Sequence, residues 1–372
     1  MAMISGSSHL LLRIPATEKR ILTHRIFLVD VGSCYPQERP ALKNALLRVD
    51  CLFFRISCEH CERFFVSSHC QLRIYNMFIS IRHFIAFLLL SVTFLLSSCA
   101  VPDNFETSVK TQGAIERIYL ARGKYAVGYF ESATKEAKCG KFEVYYPTNA
   151  PGMRFPVIVI ANGTGVKASA YSVVLKHYAS WGFIIIGNEQ ENSWSGDGAE
   201  ASLCYILKSN NLRSSSLYNK VDTRHIGIVG HSQGGVAVFN AVTKQPHASS
   251  YTACVALSPT AEQLAANLKW PYDPTKVSIP TLIFTGTEGF ETKTVIPFAD
   301  LQKLYNKMRC PKVMARRKGD DHGPMLYSAC GYVTAWFRWQ LQGDTYAAKA
   351  FTGSNPELKA NTLYQDQKFN LS

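Results

Sequence analysis

No run of basic residues longer than Arg316-Arg317-Lys318 occurs in this chain, although Lys and Arg outnumber Asp and Glu by 40 to 27 and the formal net charge is +13. A nucleic-acid footprint needs such charges gathered into a stripe. Scattered as they are, they describe a basic soluble surface with at most a mild attraction to anionic membranes. There is no internal repeat and no low-complexity tract, so a solenoid is excluded. The apolar stretch from Phe84 to Leu96 falls short of the ~20 residues a transmembrane helix needs. Cys58-Glu59-His60-Cys61 lacks a second cysteine pair at matching spacing and is discounted as a zinc site.

What is present suffices for one large folded domain. The 372 residues are 47% hydrophobic and 12% aromatic, enough for a full core, and the length fits one α/β domain plus an extension. Of eleven cysteines, six (Cys34, Cys51, Cys58, Cys61, Cys70, Cys99) fall in the first 99 residues; Cys139, Cys204, Cys254, Cys310 and Cys330 follow. An odd count leaves at least one free thiol, and spacing does not give the pairing. Cys254 sits in an apolar strand pattern and reads as a small core residue.

Residues 77–99 open with Met77 and the basic Arg82-His83, continue through the apolar stretch and end in Leu96-Ser97-Ser98-Cys99. A positive start, an apolar centre and small residues before a cut site make a secretory signal. The ending resembles a bacterial lipoprotein signal. That resemblance implies lipidation of Cys99, a membrane anchor at that residue, and a place in the bacterial cell envelope. With Ala100 after the cysteine, the expected place is the outer membrane or periplasmic face. Such signals act near an N-terminus, so translation is expected to begin at Met77, and residues 1–76 are expected to be a non-native or disordered extension.

From residue 100 a tether and first elements lead into a domain over 138–372. Strands are expected at Phe142–Pro147, Pro156–Ala161, Phe183–Ile186, His225–Val229, Tyr251–Leu257, Thr281–Thr285 and Lys312–Ala315. Helices are expected at Val173–Ser180, Glu200–Lys208, Val236–Thr243 and Thr334–Leu341. Purely apolar strands alternating with helices predict an α/β fold with a mostly parallel central sheet and helices on both faces.

Gly230-His231-Ser232-Gln233-Gly234 lies between such a strand and helix. It matches the nucleophile elbow G-x-S-x-G in the context that motif requires. A tight turn there lifts Ser232 above the sheet, the glycines remove side chains that would collide, and the amide of Gln233 can face a developing oxyanion.

With this elbow, the chain resembles the α/β-hydrolase superfamily. Within it the chain is similar to bacterial polyester hydrolase, cutinase-like and dienelactone-hydrolase-like esterases, over roughly residues 140–365. The stretch from Ala335 to Leu341, then Gly343-Asp344, Tyr346 and Phe351-Thr352-Gly353, is similar to the closing segment of that group. The resemblance implies a triad in the order serine, acid, histidine. His322, in Asp321-His322-Gly323 after the last strand, is then the general base. The acid follows Thr281–Thr285, where the family's usual position is occupied by Gly289. The favoured replacement is Glu291, then Glu288, with Glu262 and Asp300 behind them; Asp320 and Asp321 read as loop-structuring. The resemblance places a second oxyanion donor at Thr164, in Asn162-Gly163-Thr164-Gly165.

Polyester hydrolases carry an aromatic residue at the Thr164 position, methionine after the serine and tryptophan after the Tyr251–Leu257 strand. Here stand Thr164, Gln233 and Ser258-Pro259-Thr260, so a smaller or more polar acyl group is expected. Trp194 could supply a replacement wall, and the favoured reading is a packed loop anchor. The implied activity is carboxylic ester hydrolysis through an acyl-enzyme on Ser232, on a small-molecule or polymeric ester, with no metal, cofactor or nucleic acid required. An amidase or peptidase with the same triad, and a surface lipoprotein that only binds, are the alternatives.

Overall fold

In a computed structural model of the protein, residues 101–136 and 138–371 are described. Residues 1–76, the segment 77–99 and the expected lipidation site Cys99 lie outside them. No helix among the described residues is long and apolar enough to cross a membrane. The five cysteines from Cys139 onward are all free thiols.

Nine strands form one sheet in the order β1-β2-β4-β3-β5-β6-β7-β8-β9. They are β1 Val127–Ala133, β2 Lys141–Pro147, β3 Phe155–Ala161, β4 Ile184–Asn188, β5 Val221–His231, β6 Tyr251–Leu257, β7 Thr281–Gly286, β8 Lys312–Arg317 and β9 Tyr364–Asn370. From β4 to β8 every neighbour is parallel; β1, β2 and β9 close the two edges antiparallel. β1 lies within the segment expected to hold the tether and first elements.

The apolar runs of the parallel strands follow from burial on two sides. Successive residues of a strand point to opposite faces. In β3, Ile158 and Ile160 join one core, while Val157, Val159 and Ala161 join the other. The first core packs the sheet against helices α1 (Ala114–Leu120), α2 (Ser172–Ser180) and α6 (Cys330–Gln342). The second packs it against α3 (Asp197–Asn211), α4 (Gln233–Lys244) and α5 (Phe298–Lys307). Each fully buried aliphatic side chain contributes roughly 1.5–3 kcal/mol.

A polar knot ties α1 to the far edge of the sheet. The Arg317 guanidinium on β8 donates to Glu116 of α1 (3.1 Å), to the Tyr364 hydroxyl on β9 (2.9 Å) and to the Lys110 carbonyl (2.6 Å). Glu116 is almost fully buried and also accepts from Asn361. Removing one partner of a buried pair strands the other charge, at about 3–5 kcal/mol. Arg317→Met is therefore expected to lower unfolding stability by that amount in urea titration, while Lys303→Met, in an exposed pair with Asp300, shifts it by under about 1 kcal/mol.

Candidate active site

The chain leaves β5 at His231 and enters α4 at Gln233, so Ser232 sits in the turn between them. Its backbone has φ 61° and ψ −120°, a region that costs a residue with a side chain about 1–3 kcal/mol. Two hydrogen bonds hold it there: Ser232 N donates to Leu257 O at the end of β6, and Gly235 N donates to Ser232 O, both at 2.9 Å. The elbow glycines are needed for close approach. A Cβ on Gly230 would lie 2.1 Å from Gly234 O, and one on Gly234 would lie 2.1 Å from Ala161 O. On Gly235 it would meet the Pro259 backbone at 2.8 Å.

His322 sits on the loop after β8, buried at 2% exposure. Its Nδ1 lies 2.6 Å from Oε2 of Glu291, which is 0% exposed. The opposite ring nitrogen, Nε2, has no hydrogen-bond partner among the described residues. The ring is held beside the elbow: the His322 carbonyl accepts from His231 Nε2 at 2.8 Å, and the two rings lie 4.5 Å apart at 35°. Phe290 also packs edge-on against the His322 ring, 5.8 Å away. Burial first, and then the His322 ring, push the His231 imidazole down to about 3. His231 is therefore neutral, a fixed donor that sets the position of the His322 loop.

Glu291 reaches His322 because the segment after β7 forms a π-helical turn, Glu291–Val295. Asp321 Oδ1 accepts from the amides of both Glu291 (2.8 Å) and His322 (2.7 Å), clamping the two loops together. Gly289 permits this clamp, having φ 48° and sitting where a Cβ would fall 2.0 Å from Asp321 Oδ2. Gly286 N donates to the second Glu291 oxygen at 3.3 Å. Glu288 is exposed, and its carboxylate accepts from the neighbouring Thr287 hydroxyl at 3.1 Å. Glu262 pairs with Lys307, and Asp300 with Lys303, so neither joins His322.

Above Ser232, the Gly163 amide donates to the Tyr171 hydroxyl at 3.1 Å. The amides of Thr164 and Gln233 make no hydrogen bond among the described residues. The Gln233 side chain is buried and turned away: its Oε1 accepts from Ser193 N at 2.7 Å and its Nε2 donates to Asn192 at 3.0 Å. Ser193 in turn donates to Asn162 O, locking the loop after β4 to the loop after β3. Trp194 is half-buried, with its carbonyl accepting from Asn240 of α4. Thr164 is exposed, and Ser258 is buried with φ 47°. No aromatic side chain stands at any of the three positions where the polyester-hydrolase pattern is non-polar.

The histidine pairing of His231, the Phe290 contact and the Gln233–Ser193 clamp had no signal in the sequence. Each joins loops from different strands, so no local spacing announces them.

A mostly parallel sheet with a strained serine elbow at the carboxyl end of its central strand, faced by a buried His–Glu pair, defines an α/β-hydrolase. More narrowly, the chain belongs to the PET hydrolase-like family, which it matches over residues 111–368. It is 27% identical over 195 residues to a bis(hydroxyethyl) terephthalate hydrolase of Streptomyces coelicolor. That match covers 51% of this chain and 56% of the relative, so the chain spans little more than half of that relative's length.

Proposed function

We propose that this protein is a serine esterase with Ser232 as nucleophile, His322 as base, Glu291 as acid, and the amides of Thr164 and Gln233 as oxyanion donors. The observation that carries this reading is the 2.6 Å contact between the buried Glu291 and His322 beside the strained Ser232. With Glu291 accepting Nδ1–H, His322 presents the Nε2 lone pair. Nε2 takes the Ser232 proton as Oγ attacks the ester carbonyl carbon. The tetrahedral oxyanion is received by the two amides, each contributing about 3–4 kcal/mol. His322 then gives the proton to the leaving alkoxide, leaving an acyl-enzyme on Ser232. Water, deprotonated by the same nitrogen, releases the acid and restores the serine. Reaction of Ser232 with a fluorophosphonate tests the reading directly. Failure to label, together with silence on every ester, would favour a protein that only binds.

The polar residues around the elbow favour a small, soluble ester over a polymer surface, and the name of the Streptomyces relative points the same way. On p-nitrophenyl esters, kcat/KM is expected to peak at acetate to butyrate and to fall by about 10-fold or more at laurate. Bis(hydroxyethyl) terephthalate is expected to be cleaved far faster than a polyester film of the same repeat. Equal rates on film and monomer would contradict this preference for a small ester. Rates on p-nitroanilides that match those on esters would replace esterase by amidase.

The same proposal places the protein at the bacterial envelope, anchored through lipid on Cys99, on the strength of Leu96-Ser97-Ser98-Cys99. In cells fed a labelled fatty acid, the wild type is expected to incorporate label and Cys99→Ala to incorporate none. Each buried CH₂ of an acyl chain contributes about 0.8 kcal/mol to membrane binding, so the variant is also expected in the soluble fraction.

A further inference from the structure

Away from Ser232, three side chains of different chemistry converge. Glu200 and Cys204 lie one turn apart on α3, and His247 lies on the loop between α4 and β6. Glu200 Oε1 is 2.6 Å from His247 Nδ1, Cys204 Sγ is 3.4 Å from the same oxygen, and Sγ is 3.5 Å from the same nitrogen. All three ligand atoms fall within 4.8 Å of one another.

Two readings compete. In a cysteine–histidine–carboxylate relay, the thiol and the carboxylate would engage opposite nitrogens of the ring. Here both face Nδ1, which is the arrangement of a chelate. With metal bonds of about 2.0–2.3 Å, tetrahedral zinc holds its ligand atoms roughly 3.3–3.6 Å apart. The two sulfur contacts already have that spacing. The Glu200–His247 contact is shorter, as a hydrogen bond should be, and opens when a cation replaces the shared proton. A second, independent feature marks the spot. The Tyr251 hydroxyl, at the start of the strand that the His247 loop leads into, is buried without a hydrogen-bond partner among the described residues. Such an orphan donor suits a thiolate or a metal-bound water. The His247 side chain is 42% exposed, which leaves an entry path.

We infer that Glu200, Cys204 and His247 form a binding site for a borderline divalent cation, zinc by preference, with water in the fourth position. A hard ion such as calcium or magnesium would seek oxygen ligands instead. Tyr251 opens β6 in register with Ile226, six residues before Ser232, or about 20 Å along the strand. The metal would therefore tie α3 to the α4–β6 connection and stabilise the fold without entering the ester chemistry.

Cobalt reports such a site, because thiolate ligation gives a charge-transfer band in the near ultraviolet. Cys58 and Cys61 could also take cobalt, so the titration uses the purified full chain carrying Cys58→Ser and Cys61→Ser. The expected result is one equivalent of cobalt with that band, displaced by zinc, and its loss on adding Cys204→Ser, with zinc affinity down by about 100-fold or more. Glu200→Gln keeps a hydrogen-bond acceptor for His247. It is expected to fold normally and to lose most of the rise in thermal midpoint that zinc gives the parent. Cobalt stoichiometry and band intensity unchanged by both variants, or no band in the parent, would overturn the inference.

Discussion

Replacing Ser232 by alanine is expected to lower kcat on p-nitrophenyl acetate by about 10⁶-fold while leaving the thermal midpoint within a few degrees of the parent. The magnitude is that of removing a triad nucleophile, where any remaining rate comes from the oxyanion donors and substrate binding. The elbow should survive because alanine keeps the Cβ, and because the bonds that impose φ 61° are backbone bonds to Leu257 and Gly235. The hydroxyl itself makes no hydrogen bond to His322 within 3.5 Å, so its loss removes chemistry and little structure. Stopped assays with a fluorophosphonate should show labelling of the parent and none of the variant. A variant that keeps more than about a hundredth of the parental rate would mean that the attacking oxygen is not Ser232's.

The elements carrying this site were legible for a local reason. The apolar runs of β3, β4, β6 and β7 report burial on both faces, and the elbow confines its steric demands to six consecutive residues. The edges were not legible. β1 alternates half-buried and exposed residues, and β9 is the polar sequence from Tyr364 to Asn370, interrupted by Asp366 at φ 56°. Edge strands with one wetted face lack the apolar run that gave the central strands away. α5 also went unread, although its Leu301, Leu304 and Tyr305 are buried at helical spacing. Its start at Phe298 follows the irregular loop from Gly286, which masks the boundary. That loop left Glu288 and Glu291 open in the sequence. Only Gly289 and Phe290 separate them, and which one turns inward depends on a π-helical turn and on Asp321, contributed from beyond the next strand.

The sharpest separation between those two carboxylates is kinetic. Glu291→Gln is expected to cost about 10⁴-fold in kcat, the effect of losing the charged partner of a triad histidine. Glu288→Gln is expected to stay within about two-fold of the parent. Glutamine fits the Glu291 site in size, but it offers one carbonyl oxygen where Gly286 N and His322 Nδ1 use two different carboxylate oxygens. It also carries no charge to stabilise the imidazolium formed when His322 takes the serine proton, and its amide can instead donate to Nδ1. Donation to Nδ1 fixes the wrong tautomer, with the proton on Nε2, where the serine proton must go. Glu291→Asp separates charge from reach. Its backbone stays pinned by Asp321 and by the Ile296 amide, so the carboxylate withdraws by about one C–C bond, ~1.5 Å, and the 2.6 Å contact is lost. Activity between that of the parent and of Glu291→Gln should follow. Proton NMR offers a readout that a merely structural role would not move: the far-downfield Nδ1–H signal of His322 should be present in the parent and in Glu288→Gln, and absent in Glu291→Gln. If the two glutamine variants behaved alike, the acid would have to be sought elsewhere. The adjacent carboxylate, Asp321, has its Oδ1 already committed to two amides, so the triad reading itself would fall.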